Sequence, residues 1–546
     1  MKANPQFLAL TVAALLTPAS LLASQVVTNT NNTGAGSLRQ AIANAGPGEV
    51  ITFHPSLDGQ TITLTSGQLI IDKNLVIDAS ALPGGITVQN GSDRMFQIEP
   101  SRTVTMKSLT LANGQCPSAG GAILNHGGTL TLNRCRLVGN TCANDGGGGA
   151  ILNDTGASLT LYRCVLTGNN ANGEPGGAIA TRSVGTVVIN SCTIAGNSCN
   201  ASGGAINNLA TMTILNSTVS GNTAVFSGAI DNFGTLDITN STFTGNTADN
   251  GGAIYNNETL TLNHSTFSGN SALAAGAIAT GGTLTLINSI VAGNTASASN
   301  GPDVRYHSGT IITQGVNLIS DLSLSDLTAG PTVLVGDPSL APLGAYGGPT
   351  ATMPPLPGSP AINAAAMLGG TPATDQRGLP RPSGTGPDIG SVETQSIVLR
   401  PDAKIRMRGM SAFKGDNIYR AIHQAKGQTV TTSFKKERTK KRVFYIALQN
   451  DGNAPDSLVV KGSRGNKRFP VKYILGGLDV TSEVKKGNFK TRTLAPGAEI
   501  YLKMVVRFNS AIQKGKPKQT FWVTARSGRD SGRSDTVRAD LKSPRK

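Results

Sequence analysis

The stretch Gly251–Asn270, GGAIYNNETLTLNHSTFSGN, decides the fold. Thr259-Leu260-Thr261-Leu262 alternates polar and apolar side chains, the period of a half-buried strand. A second short strand reads through Ser265-Thr266-Phe267 and a third through Ala253-Ile254-Tyr255. Gly, Asn and Ser stand between them, where the backbone must turn or enter left-handed space. Three short strands with no helix-length apolar pattern predict one coil of a parallel β-helix, its neighbours ~4.8 Å away.

The pattern returns seven times. GGAI-like tetrads begin at Gly120, Gly148, Gly176, Gly203, Ser227, Gly251 and Ala275. Turn asparagines follow at Asn140, Asn169, Asn197, Asn222, Asn246, Asn270 and Asn294, spaced 24 to 29 residues early and a strict 24 after Asn222. A fixed period of this size means stacked units, none able to bury its apolar face alone. Superposition gives an inward Ile column (Ile123, Ile151, Ile179, Ile206, Ile230, Ile254, Ile278) and an inward Leu/Ile column (Leu132, Leu161, Ile189, Ile214, Ile238, Leu262, Leu286). The asparagines predict an inward ladder, each amide pairing with backbone and with the Asn of the next coil.

Cys135, Cys164 and Cys192 share a column that continues as Ser217, Ser241, Ser265 and Ser289. Cys116 and Cys142 fall in another, with Cys199 at the corresponding place after Asn197. In-register neighbours are close enough for a disulfide, although parallel side-chain vectors strain it. Six cysteines allow 15 pairings; the one specific expectation is a Cys116–Cys142 link. The spacing does not suit zinc pairs, and no metal or cofactor is expected.

Phe7 to Leu16 is apolar, follows Lys2, and leads into Pro18 and the small residues Ala19, Ser20, Ala23 and Ser24. This reads as a secretory leader over residues 1–24, since a membrane span needs about 20 apolar residues. The expected location is secreted or at the cell surface, with no transmembrane span. Only 14% of residues are charged, and the net charge of +16 is unevenly placed. Residues 1–394 carry 13 Lys+Arg against 20 Asp+Glu, whereas residues 395–546 carry 34 against 11. A basic module after an acidic solenoid points to a polysaccharide or another anionic envelope polymer as partner, without a specific nucleic-acid site.

The expected class is all-β, in four parts. A leader (1–24) precedes a parallel β-helix (25–335), whose open end is covered by a capping helix, Ser37 to Asn44, N-capped by Ser37. Gly48 to Phe53 would start the first coil. A Pro/Gly-rich closing wrap spans 336–394, where the repeat dissolves. Residues 395–546 alternate through Val443–Leu448, Ser457–Val460, Val471–Ile474, Glu499–Phe508 and Phe521–Ala525, predicting an antiparallel β-sandwich.

GSLRQAIANAGPGEVITF, the GGAI…NST.SGN repeats and Thr374-Asp375-Gln376-Arg377-Gly378…Asp388-Ile389-Gly390 resemble bacterial secreted β-helix proteins of the choice-of-anchor Q type, over about residues 25–394. That resemblance implies a pectin-lyase-like fold and a right-handed coil. The repeats are also similar to those of chlamydial polymorphic outer membrane proteins, which are adhesins; Phe243-Thr244-Gly245-Asn246 and Phe267-Ser268-Gly269-Asn270 fit that pattern fully. The C-terminal region resembles an Ig-like module of bacterial exported proteins.

The resemblance implies a binding or adhesion stalk whose flat faces meet a polymer, with a polysaccharide lyase or hydrolase as the alternative. An inverting hydrolase needs two carboxylates about 6.5–9.5 Å apart; a lyase needs a calcium carboxylate cluster and a basic residue. Asp231, Asp237, Asp249 and Glu258 are isolated along the coils, so no catalytic residue is assigned. The segment richest in charge holds Asp72, Asp78, Asp93, Arg94, Glu99, Arg102 and Lys107. His126 and His264 read as core or surface pairing residues. Asp375, Arg377 and Asp388 read first as an ion pair fastening the wrap, and alternatively as polymer contacts.

Overall fold

The computed structural model describes residues 24–143, 146–297, 301–395, 399–415, 427–434, 441–452, 455–495, 497–509 and 518–542. The expected leader, 1–24, therefore lies outside them except for Ser24. The chain divides into two compact units at Gln395.

In the first unit, alternating strands stack into three long parallel sheets. One has twelve strands, from Ser24–Val27 to Thr310–Gln314, and contains the TLTL segments. A second twelve-stranded sheet runs from Thr61–Thr63 to Val333–Val335, and a ten-stranded sheet from Leu69–Ile71 to Val304–Tyr306. The two predicted apolar columns are in register and buried: Ile254 pairs with Ile230 and Ile278, and Leu262 with Ile238 and Leu286. Phe243 and Phe267 stack with centroids 4.5 Å apart inside this core.

The tetrad follows from two separate demands. Gly251 has φ +67, left-handed backbone that glycine adopts without penalty; Ser227 and Ala275 hold the same conformation at φ 59 and 56. A Cβ on Gly252 would strike the carbonyl oxygen of Gly276 on the next coil, so close backbone approach fixes the second glycine.

The asparagine ladder is continuous. Asn222 donates from its backbone N–H (3.0 Å) and its Nδ2 (2.9 Å) to Oδ1 of Asn246, and its Nδ2 also reaches the Ile194 carbonyl at 3.1 Å. Each amide thus serves the coils on both sides. The ladder ends on Asp303, whose Oδ1 accepts from Asn294 Nδ2 at 2.9 Å. Burial pushes the Asp303 carboxyl upward, against hydrogen bonds from Ser320 and Asn294 that pull it down. A second ladder, which the repeat reading did not follow, runs Asn208–Asn232–Asn256 at 2.8 Å per step and ends on Thr280 Oγ1 at 3.1 Å. The Cys/Ser column forms a third, in which each backbone N–H donates to the next coil's Sγ or Oγ, from Cys164 to Ser289, with Asn317 at its end.

Helix α1, Leu38–Asn44, is capped by Ser37 Oγ, which accepts the Gln40 N–H at 3.2 Å, and it buries Leu38, Ala41 and Ile42. The first coil begins earlier than expected, however. Ser24–Val27 already pairs in parallel with Val50–Phe53, so α1 is inserted between the first two strands of its sheet.

The second unit is a sandwich. One sheet orders Pro401–Met407, Lys441–Asn450, Glu499–Arg507, Val471–Leu475 and Leu478–Asp479, all antiparallel. The other orders Thr429–Ser433, Ser534–Lys542, Lys518–Ser527, Leu458–Gly462 and Phe489–Lys490. Residues of both sheets share one core, including Phe444, Ile446, Leu502, Phe521, Val523 and Val537. One pair departs from the antiparallel expectation: Thr429–Ser433 runs parallel to Ser534–Lys542. A short helix, α2 (Thr481–Lys486), ends at Gly487 with φ 81.

Candidate functional site

The closing wrap keys into the outer side of the second sheet. Thr218, Thr242 and Thr266 stand in one column there and are buried. Gln376 reaches them: its Nε2 donates to Thr218 Oγ1 and Thr350 Oγ1 at 3.0 Å, and its Oε1 accepts from Thr242 Oγ1 at 2.6 Å. Ser391 Oγ lies 3.1 Å from Thr266 Oγ1.

The residues singled out in this wrap are spent internally. Arg377 donates to Asp375 Oδ2 through Nε (2.9 Å) and Nη2 (2.7 Å), and the same carboxylate accepts the backbone N–H groups of Leu379 and Glu393 at 3.0 Å. Asp388 accepts from the Asn363 N–H at 2.7 Å and from Thr394 Oγ1 at 2.5 Å. Asp375 and Asp388 are 0% exposed, an arrangement that agrees with fastening of the wrap rather than with polymer contact through these two carboxylates. Arg381 and Glu393, which the sequence did not single out, form a buried pair with Nε 3.5 Å from Oε2. Burial lowers Arg381 to about 10 against the pull of Glu393, and burial raises Glu393. His264 is buried, with Nδ1 2.8 Å from Asn263 Oδ1, and burial followed by repulsion from Arg381 holds it down at about 2, hence neutral.

The other carboxylates are dispersed. Asp78 pairs with Lys107 at 2.9 Å on the first sheet, Asp72 lies 3.7 Å from Lys73, and Asp93 Oδ1 accepts the Arg94 N–H at 2.8 Å. His126 is 3.9 Å from Asp154. Among the described residues no group of three His, Cys, Asp or Glu side chains is arranged to hold a metal ion. Asp231 is the unusual member: it is 4% exposed, its Oδ1 has no hydrogen-bond partner, and burial raises it to about 6.

Cys116 and Cys142 do face each other across paired strands. The expected disulfide is nevertheless not formed. Cys142 Sγ instead donates to the Ser118 carbonyl at 2.6 Å and Cys116 Sγ lies 3.3 Å from Ser118 Oγ. Parallel in-register strands keep the two Cβ–Sγ bonds pointing the same way, whereas a disulfide needs them turned toward each other.

The sandwich presents its cations outward. Facing away from the core on the first sheet, Lys503 pairs with Tyr445 and Ile474, Val505 with Val443 and Lys472, and Arg507 with Lys441. With Arg408, all of these but Tyr445 line a groove of about 660 Å³ whose only described carboxylate, Asp479, is taken by Lys472 at 2.8 Å. Beside it Arg406 lies over the Phe413 and Tyr445 rings at 5.0 and 5.2 Å. Among the described residues no helix is long and apolar enough to cross a membrane.

A family model described as a right-handed beta helix region matches residues 120–296. The solenoid of the first unit is thus a right-handed parallel β-helix, a fold compatible with surface binding and with pectin-lyase-like enzymes. No curated protein matches the chain.

Proposed function

We propose that this chain is an exported surface or matrix protein in which the β-helix is a stalk and the C-terminal module holds an anionic polymer, in the first place an acidic polysaccharide. The observation that carries the reading is the groove of Arg408, Lys441, Lys472, Lys503 and Arg507, with Asp479 as its one described carboxylate. Closely spaced cations attract a polyanion and release its counterions, so binding should weaken steeply with salt. The apolar leader-like run from Phe7 to Leu16 supports export. The DQRG…DIG wrap supports a place among choice-of-anchor Q proteins.

The test is cosedimentation of the full chain with calcium-crosslinked polygalacturonate beads at rising ionic strength. Retention at low salt that is lost by moderate salt is expected, with at least tenfold weaker retention for the double variant Lys503→Glu/Arg507→Glu. Absent or salt-insensitive retention overturns the reading. Release of unsaturated or reducing ends from the beads would replace it with a lyase or hydrolase.

A further inference from the structure

The opposite sheet of the module carries a second, smaller pocket. Phe521, Val523 and Ala525 turn into the core, so Trp522, Thr524 and Arg526 alternate onto the outer face. The neighbouring strand brings Lys461 beside Thr524 and Val459 beside Arg526. Lys486 and Gly487, at the end of α2, and Ser531 and Ser534 complete the lining of a pocket of about 570 Å³. That volume lies within the ~300–1,000 Å³ of small-molecule sites. The described lining contains three cations and no carboxylate.

We infer that this pocket binds one negatively charged sugar unit of an acidic polysaccharide, its ring face stacked on Trp522 and its anionic group met by Lys461, Lys486 and Arg526. The inference rests on the polyanion-binding reading and adds to it a subsite for a single sugar on the other sheet. A pyranose offers an apolar C–H face and a rim of hydroxyls, which suits one indole surrounded by Thr524, Ser531 and Ser534. Single-stranded nucleic acid fits less well, because its binding surfaces stack successive bases on successive aromatics, and Trp522 is the one aromatic in this lining. The carboxylate of a uronate and the sulfate of a sulfated sugar present the same charge to the three cations.

Trp522 is the only tryptophan of the chain, so intrinsic indole emission reports this pocket alone. The full chain is titrated with oligogalacturonate, a sulfated dextran oligomer, neutral dextran, polyphosphate and single-stranded DNA, while bead retention is measured in parallel. A saturable emission shift with either acidic sugar is expected, and which of the two gives it identifies the anionic group. Neutral dextran should give none, and Lys461→Glu and Arg526→Glu, both at exposed positions that leave the reporter in place, should each raise the apparent Kd at least tenfold. Equal shifts with polyphosphate or DNA overturn the sugar assignment. Bead retention with no emission shift overturns this pocket and leaves the basic groove standing, whereas loss of both overturns the module's binding role altogether.

Discussion

The two units fill their cores in opposite ways. In the solenoid a buried side chain meets near-copies of itself one coil away, as Ile254 meets Ile230 and Ile278. In the sandwich each large side chain is used once: Phe434, Phe469 and Phe508 form a ring cluster with centroids 5.3 to 6.1 Å apart, and Tyr473 and Phe444 are buried singly. Stacking in register selects what can be repeated. A column of lysines would set like charges ~4.8 Å apart and repel, whereas asparagine is both donor and acceptor and pairs with its own copy. The strands of the sandwich are not copies of one another, so a cation on one strand is not repeated down a whole column. It carries the 34 Lys+Arg against 11 Asp+Glu of residues 395–546, and the polymer-binding role is proposed for it accordingly.

The largest expected effect comes from breaking the repetition outright. Ile254→Asp puts a charge between Ile230 and Ile278 in the buried column and should cost about 4 kcal/mol or more. Thermal unfolding and amide exchange should show neighbouring coils opening together; an unchanged melting temperature would remove the inward assignment. Asn246→Ala strips Oδ1 from beneath Asn222, leaving two buried donors unpaired, and should cost about 2–3 kcal/mol by denaturant unfolding.

Asp231→Asn tests the reverse sign. The folded carboxyl sits at about 6, above its ordinary value, so the folded chain keeps a proton that the unfolded chain has already lost. Stability is therefore full below the ordinary carboxylate range and falls as pH rises toward 6. The asparagine variant should be more stable than the parent by about 3 kcal/mol at pH 7.5 and equal to it near pH 3.5; a variant less stable at both values would show that the carboxylate is needed. The smallest effect belongs to the groove. Lys503→Ala should move stability by no more than about 0.5 kcal/mol while lowering bead retention severalfold, separating binding from folding.

What the sequence made legible follows the same division. The Ile column and the Asn140–Asn294 ladder could be read because a strict spacing aligns them. The second ladder is hidden in the sequence because Thr181 and Thr280 replace asparagine in its column. Asp303 as a ladder terminus, and Gln376 as a bridge to Thr218 and Thr242, depend on folding partners that no local pattern announces; Gln376 and Thr218 are 158 residues apart. The Arg377–Asp375 fastening was legible, since a two-residue separation brings fork and carboxylate together. In the sandwich, five alternating segments were visible. Pro401–Met407 opens on proline, Thr429–Ser433 is short and mostly hydroxylated, Ser534–Lys542 is interrupted by charges at Asp535, Arg538 and Asp540, and none of the three was read as a strand. The Trp522 pocket assembles from two paired strands, a turn and the end of α2, so only the folded chain reveals it.

Amide hydrogen exchange on the full chain, with and without acidic polysaccharide at low salt, tests the division of labour most directly. Added protection should be confined to peptides of the second unit, strongest around Lys441, Lys503–Arg507 and Trp522, with the coils between residues 120 and 296 unchanged. Protection concentrated on the coils, with the second unit unaffected, would contradict it.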